Sequence, residues 1–188
     1  DSMSRLENPA TTGLADGIPY GIQPGNHDMA TTLFNSTFGY SRFEGRGYYG
    51  GHYSTDNDNN YTLFSAGGMD FIVVNLEYSP SADILDWADA RLKEYSTRRA
   101  IVVSHEMTGT GNPSSWQGQG SAIYTALSDN TNLFLMLCGH VSGEGQRTDT
   151  SGGSTIHTLL ADYQSYTNGG NGYLRILQFS PETDTISV

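Results

Sequence analysis

The sequence predicts a mixed α/β fold of the α+β kind, with buried strands, covering helices and a final group of antiparallel strands. Three nearly continuous apolar runs, at Phe71–Leu76, Ala100–Ser104 and Leu133–Cys138, have the length of strands that are buried on both faces. Residues 81–95 repeat apolar side chains at the helical period, which predicts a helix over one face of the sheet. These four segments are therefore expected to build one core.

Shorter patterns predict the remaining elements. The pair Gly67-Gly68 indicates a hairpin turn between two strands. From the start of the chain, we expect the end of a helix and a polar connection at 1–16, a strand at 18–23, a short helix from Asn26 to about Phe38, an irregular loop at 39–60, strands at 61–66 and 70–76, a helix at 121–127, a polar loop after His140, and an antiparallel meander of strands at 154–161, 172–179 and 185–188.

Composition excludes several classes of function. The 188-residue chain has a formal net charge of −11 and only 9 Lys and Arg residues, so it would repel a nucleic-acid backbone. No apolar run approaches the roughly 20 residues that span a bilayer, and no signal sequence opens the chain.

Cys138 is the only cysteine, and we interpret it as a small buried hydrophobe rather than a nucleophile. Low lysine content and abundant Asn, Thr, Tyr and Gly favour an extracellular or periplasmic enzyme.

The turn at residues 24–28 is the richest in chemical groups. Gly25 allows the chain to turn sharply, and an amide, an imidazole and a carboxylate follow at Asn26, His27 and Asp28. The Asn26 carbonyl oxygen is a neutral metal ligand, His27 can be a ligand or a general acid, and Asp28 can orient the imidazole. The alternative is an Asn-capped helix start with an incidental histidine.

Histidines follow three predicted strands directly, at His27, His105 and His140. Strand ends of an α/β sheet meet at one edge, where ligands bind, so the three imidazoles are expected to converge. Asn26, His105 and His140 would then offer N and O ligands suited to Zn, Mn or Fe. Hydrogen-bonded structural histidines are the alternative interpretation.

The motifs Gly25–Asp28, Val102–Glu106 and Cys138–His140, in this order, resemble the calcineurin-like metallophosphoesterase superfamily. The runs Leu159–Gln164 and Gly172–Arg175 look like its secreted bacterial subset. The resemblance covers nearly the whole chain, which we interpret as a single domain over residues 1–188.

The resemblance implies a β-sandwich of two mixed sheets flanked by helices, with a dinuclear centre of divalent Mn, Zn, Fe or Mg. The implied function is hydrolysis of phosphate mono- or diesters of a small substrate by a metal-activated hydroxide. Asn26, His105 and His140 would bind one metal of the pair. His27 would touch the phosphate and protonate the leaving group, and Asp28 would hold His27 in place.

Two departures from the family pattern leave half of that centre missing. Residues 1–24 contain neither the Asp-x-His nor the Gly-Asp-x-x-Asp motif that would supply the other metal's ligands. Ser142 stands where the family's last histidine ligand is expected. We therefore expect one metal or none here, and interpret the chain as the C-terminal portion of a catalytic domain whose N-terminal segment was either removed or never present. Exposed strand edges and an apolar face would then favour self-association.

Other residues are candidates for supporting roles. Glu106 and Glu144 follow ligand strands closely enough to act as second-layer partners of the ligands, and Asp162 is a further acidic candidate. His52 and Tyr53, in the Tyr- and Gly-rich loop, are candidates for substrate binding, although that loop could equally be a flap that packs on itself.

Two other functions stay open. The first is a degenerate, non-catalytic metal- or ligand-binding domain of the same fold, favoured by the missing ligands. The second is an unrelated β-rich carbohydrate-binding domain, suggested by the Tyr, Gly and Asn content and the acidic pI.

Overall fold

The computed structural model describes residues 3–28 and 30–188. Its elements, in chain order, are α1 (Met3–Glu7), α2 (Pro9–Thr12), α3 (Thr32–Phe38), β1 (Tyr49–His52), β2 (Asn60–Ala66), β3 (Met69–Leu76), α4 (Ala82–Glu94), β4 (Arg99–Ser104), α5 (Gly120–Leu127), β5 (Leu133–Cys138), β6 (Gly143–Ser151), β7 (Ser154–Asp162), α6 (Thr167–Gly170), β8 (Gln178–Ser180) and β9 (Thr185–Ser187). Two 3₁₀ turns, Asn26–Asp28 and Tyr40–Arg42, precede and follow α3.

Seven strands form one mixed sheet in the order β1-β2-β3-β4-β5-β7-β6. Its centre is parallel, because β3, β4, β5 and β7 run in the same direction. Strands β2 and β1 extend it antiparallel at one side, and β6 pairs antiparallel with β7 at the other. Four parallel strands therefore end at the same edge of the sheet, and three of them, β3, β4 and β5, are the predicted apolar runs.

Helices α4 and α5 cover one face of this sheet. Leu92 and Ile123 of the helices are fully buried with Leu76 and Met136 of the strands. Burial of each such side chain contributes about 1.5 to 3 kcal/mol relative to exposure. This core holds the strand ends, and the residues that follow them, in fixed positions.

The opposite face, which we call the front face, presents Val73, Val103, Leu137 and Leu159. These side chains are half-buried, and a second, two-stranded sheet of β8 and β9 covers part of the cluster to which they belong. Phe179 of β8 packs edge-on against Phe71, with ring centroids 5.8 Å apart. The predicted α+β class, with two sheets and flanking helices, is confirmed, and the second sheet is a short hairpin.

Several sequence predictions upstream of β2 were wrong. Residues 18–23 form no strand: they run as an irregular segment, tied to the sheet where the Asn60 side-chain amide donates to the Ile22 carbonyl at 2.8 Å. The helix predicted from Asn26 is a separate 3₁₀ turn followed by α3, and Met29 between them lies outside the described residues, as do positions 1 and 2 of the predicted helix end. The loop predicted at 39–60 contains a 3₁₀ turn and β1.

Downstream, the predicted polar loop after His140 is mostly the nine-residue strand β6. Its residues are polar because it is an edge strand, and only Gly145 is buried. Strand β7 pairs parallel with β5 and antiparallel with β6, so it belongs to the large sheet and not to a terminal meander. Of the strand predicted at 172–179, only Gln178 and Phe179 belong to a strand, β8.

The N-terminal helix is tied to the loop before β1 by a charged group. Arg42 donates through Nε and Nη2 to the two Glu7 carboxylate oxygens at 2.7 and 3.1 Å, and the Tyr20 hydroxyl also donates to this carboxylate. The Arg42 bond holds the Glu7 pKa below its ordinary value, although burial opposes this. Among the described helices, none is long and apolar enough to cross a membrane.

Candidate metal centre

The turn at residues 24–28 is closed by its own backbone and by Asp28. The Asp28 amide donates to the Gly25 carbonyl at 3.0 Å, and the Asp28 carboxylate accepts from the Gly25 amide at 2.9 Å. The Tyr78 amide, just past β3, donates to the Pro24 carbonyl at 3.2 Å. The turn is thus fastened to the carboxyl end of the sheet.

His105 follows the last residue of β4 and meets this turn. Its Nε2 atom lies 2.7 Å from the Asn26 side-chain oxygen. A Cβ atom added at Gly25 would lie only 2.9 Å from Nδ1 of the same ring. The absence of a side chain at Gly25 is therefore what lets the imidazole reach Asn26.

His140 follows β5 with its backbone in the left-handed region, at φ 70°. This conformation is uncommon for residues other than glycine and is typical of constrained positions. The Gly139 amide donates to the His105 carbonyl at 3.0 Å, which fixes the two strand ends together. His140 Nδ1 then lies 3.0 Å from His105 Nε2, and the two rings meet edge to face.

We call Asn26, His105 and His140 the Asn–His–His cluster. In this cluster, two potential hydrogen-bond acceptors, Asn26 Oδ1 and His140 Nδ1, both lie next to His105 Nε2. A lone N–H on His105 Nε2 cannot point at both the Asn26 oxygen and His140 Nδ1, so at most one strong hydrogen bond forms there. Ligand atoms about 2.1 Å from a shared cation are about 3.0 to 3.4 Å apart at octahedral or tetrahedral angles. The 2.7 and 3.0 Å separations are near this range. Oxygen and imidazole nitrogen donors are also the types that divalent cations accept, so these three atoms are candidates for one shared cation.

Neighbouring groups favour the metal-binding form of His105. Burial lowers its pKa, and the nearby His140 acts in the same direction, while Glu106, Asp162 and Asp28 oppose them. A lower pKa keeps the imidazole neutral near pH 7, and neutral imidazole is the form that binds metals.

The cluster supplies few ligands beyond these three atoms. Across residues 3–28 and 30–188, no group of three or more His, Cys, Asp or Glu side chains is arranged to hold a metal ion. Two histidines and one asparagine alone would leave coordination positions open. Whether these three atoms bind a metal, as the resemblance implied, stays a prediction.

Glu106 and Asp162 lie beside the cluster. A Glu106 carboxylate oxygen is 4.0 Å from His140 Nε2, the nitrogen that faces away from His105. Asp162 ends β7, and a Cβ atom added at Gly139 would lie 3.8 Å from its carboxylate. Glu106 therefore lies near His140, and its predicted supporting role stays a prediction. Glu144 instead pairs with Arg175 at 2.9 Å.

The predicted catalytic pair is exposed at the turn. His27 and Asp28 both face solvent, and the Asp28 carboxylate bonds to the Gly25 amide. Asp28 thus fixes the turn that carries His27.

The predicted substrate-binding residues pack elsewhere. His52 stacks on Tyr40 with ring centroids 4.4 Å apart, and its Nδ1 lies 3.0 Å from the Tyr49 hydroxyl. Tyr53 packs edge-on against Trp87 of α4 at 5.8 Å. The structure therefore holds both side chains in aromatic packing, and their contact with substrate stays a prediction.

Sequence reasoning missed Tyr78 and Gln164. The Tyr78 ring lies 5.8 Å from the His105 ring and 6.4 Å from the His140 ring. The Gln164 side-chain amide donates to the His140 carbonyl at 3.4 Å. The Gln164 backbone amide donates to the Asp162 carboxylate. The signal for Tyr78 was available, because it follows a buried strand just as the two histidines do.

Sequence comparison with known proteins gives a relative that is described as uncharacterized. No family model matches the chain. The Bacillus subtilis protein YvnB, described as uncharacterized, is 33% identical over 186 residues, which cover 92% of this chain. This chain spans only 14% of the length of that relative.

Two solved structures have low similarity to this one, each with a TM-score of 0.40. GAP50, the anchor in the inner membrane complex of Plasmodium, is 12% identical over 62% of this chain and 40% of its own. A Staphylococcus aureus protein described as a candidate 5'-nucleotidase, solved with alpha-ketoglutarate, is 17% identical over 59% of this chain and 26% of its own. Likeness at this level supports no inference about function.

Proposed function

We propose that this protein is a metal-dependent phosphoesterase whose Asn–His–His cluster binds a divalent cation. The observation that carries the proposal is the convergence of Asn26 Oδ1, His105 Nε2 and His140 Nδ1 within 2.7 and 3.0 Å, from three separate parts of the chain. A divalent cation at such a site neutralises phosphoryl oxygens and lowers the pKa of bound water.

The protein's own groups would act around that site. His27 adjoins Asn26 and is exposed, so its imidazole can reach a bound ester and protonate the leaving oxygen. Glu106 would orient His140 through its outer nitrogen. Tyr78 would exclude water from one side of the two imidazoles.

A non-catalytic metal-binding domain is the second candidate. It is favoured by the lack of any cluster of three or more His, Cys, Asp or Glu ligands in the part of the chain that the structure describes. The exposed His27 favours the enzyme, because a purely structural site has no use for a solvent-facing acid beside a ligand.

The test is hydrolysis of an aryl phosphate and a bis-aryl phosphodiester with added Mn or Zn. We expect turnover that falls to background in His105→Ala and His140→Ala. His27→Ala should lose about 10²- to 10⁴-fold when the leaving alcohol is poor. His157→Ala is the matched control, because His157 is exposed on β7 and bonded to Thr148. Equal turnover in wild type and His105→Ala would contradict the proposal.

A further inference from the structure

A cavity of about 340 Å³ lies beside the candidate centre, on the front face of the large sheet. Leu137, Leu159 and Ala161 form its floor, and Tyr163, Tyr173 and Arg175 form its walls. We call it the tyrosine pocket. Its volume falls at the lower end of the range for small-molecule sites, which suits a single or fused ring.

Two strand ends lead from the residues that line the pocket to residues of the candidate centre. Cys138 also lines it and is followed by Gly139 and His140. Ala161 of the floor is followed by Asp162, whose charge acts on His105. The Gln164 side chain, one residue past Tyr163, donates to the His140 carbonyl. A ligand whose phosphate met the Asn–His–His cluster would have this pocket beside it.

The walls of the pocket present aromatic ring faces, and the one charged side chain among them, Arg175, is already paired with a carboxylate. The Tyr163 hydroxyl donates to Glu144 at 2.7 Å, and Arg175 bonds to Glu144 at 2.9 Å and to the Leu160 carbonyl at 2.8 Å. Because the guanidinium is already neutralised, the pocket does not suit a second phosphate. These bonds hold the Tyr163 ring and the Arg175 side chain in place before any ligand arrives.

Three tyrosines pack against one another beside the pocket, and two of them, Tyr163 and Tyr173, line it. The Tyr163 and Tyr173 rings meet at 79° with centroids 5.8 Å apart, and Tyr166 lies 5.5 and 6.0 Å from them. Tyr173 keeps 61% of its surface exposed, so a ring face is available to a ligand. Planar groups gain from edge-to-face or offset contact with such rings beyond the area they bury.

We propose that the tyrosine pocket binds an aromatic ring on the leaving alcohol, so that the substrates are phosphate esters of aromatic alcohols. This inference rests on the proposed phosphoesterase function. Hydrolysis needs only water as co-reactant: the P–O bond to the alcohol breaks, water supplies the new oxygen, and the alcohol leaves with one proton.

The experiment separates ring binding from turnover in the full chain. Binding of benzylphosphonate, which is not hydrolysed, is compared with that of methylphosphonate by NMR or fluorescence titration. Turnover is compared for benzyl and propyl phosphate, whose leaving alcohols are of similar basicity. The variants are Tyr173→Ala, the conservative Tyr173→Phe, and Tyr166→Ala, which alters the same aromatic cluster without lining the pocket.

We expect benzylphosphonate to bind about tenfold more tightly than methylphosphonate, and kcat/KM to favour the benzyl ester by a similar factor. Tyr173→Ala should remove both preferences, whereas Tyr173→Phe and Tyr166→Ala should keep them. Turnover of both esters with no benzyl preference would refute ring binding in the tyrosine pocket but would still support the phosphoesterase function. Ring-selective binding without turnover would support the pocket and refute the phosphoesterase. The absence of ring-selective binding in the wild type would overturn the inference.

Discussion

His105 Nε2 lies 3.0 Å from His140 Nδ1, although 35 positions separate the two residues in the sequence. Parallel pairing of β4 and β5 brings the two strand ends side by side, and the Gly139 amide fastens them through the His105 carbonyl. The same His105 nitrogen also lies 2.7 Å from the Asn26 side-chain oxygen, so the turn at residues 24–28 and the ends of β4 and β5 meet at this atom.

Gly25→Ala should weaken metal binding without unfolding the protein. The new Cβ would meet His105 Nδ1 at 2.9 Å and push the ring away from Asn26. We expect a loss of about 10- to 100-fold in metal affinity, as for other changes that misorient a ligand. Gly139→Ala is the control, since its Cβ would meet only ordinary contacts at 3.7 to 4.0 Å. Calorimetric titration with Zn or Mn checks both; equal losses would contradict the steric explanation.

Glu7→Gln should destabilise the protein at pH 7 by about 1 to 3 kcal/mol, because a charge-assisted bond to Arg42 is lost. The folded pKa of Glu7 is lowered, so its contribution is present above the ordinary value and is lost as pH falls through the folded pKa. The difference from wild type should therefore shrink below about pH 4. Urea unfolding at several pH values measures it, with the exposed Glu44→Gln as the matched control.

Glu77→Gln should stabilise the protein at pH 7, in contrast to Glu7→Gln. Burial raises the Glu77 pKa, and the nearby Asp58 adds to the shift. A carboxyl group whose pKa is higher in the folded than in the unfolded protein destabilises the fold when it is ionised, at pH values above its folded pKa. This destabilisation disappears as the pH falls through the folded pKa and the group takes up a proton. We expect Glu77→Gln to unfold at a higher temperature than wild type at pH 7, with the gain vanishing toward the ordinary pKa of a glutamate. A lower melting temperature at pH 7 would show that the charge is needed there.

The exposed apolar residues near the front face should drive self-association. Ile176 is 72% exposed in the unpaired segment before β8, and Val188 at the chain end is 67% exposed. Ile176→Lys should lower the association seen by sedimentation and leave the unfolding free energy within about 0.5 kcal/mol. Leu33→Lys is the control, because Leu33 is 81% exposed on α3 and does not belong to the hydrophobic cluster of that face. A strictly monomeric wild type would contradict the prediction.

The sheet centre could be predicted from sequence because β3, β4 and β5 are buried on both faces and read as apolar runs. Strand β6 could not, because an edge strand of polar residues has the composition of a loop. Residues 18–23 were assigned wrongly for the converse reason. Their apolar residues suit a strand, but a strand also needs a neighbour to pair with, and a local pattern does not reveal one.

The candidate centre could be predicted in part, because histidines that directly follow buried parallel strands must meet at one edge. The left-handed backbone of His140 and the Tyr78 ring beside both imidazoles depend on tertiary packing, which the motifs do not encode. The positions of His52 and Tyr53 likewise follow from packing against Tyr40 and Trp87.

Metal stoichiometry decides whether the Asn–His–His cluster binds a cation. The purified chain is dialysed against Zn or Mn, and bound metal is measured by elemental analysis for wild type, His105→Ala, His140→Ala and the control His157→Ala. We expect at least one equivalent of metal per chain in wild type and His157→Ala, and loss of that equivalent in His105→Ala and His140→Ala. Wild-type metal content no higher than that of His105→Ala would contradict this expectation.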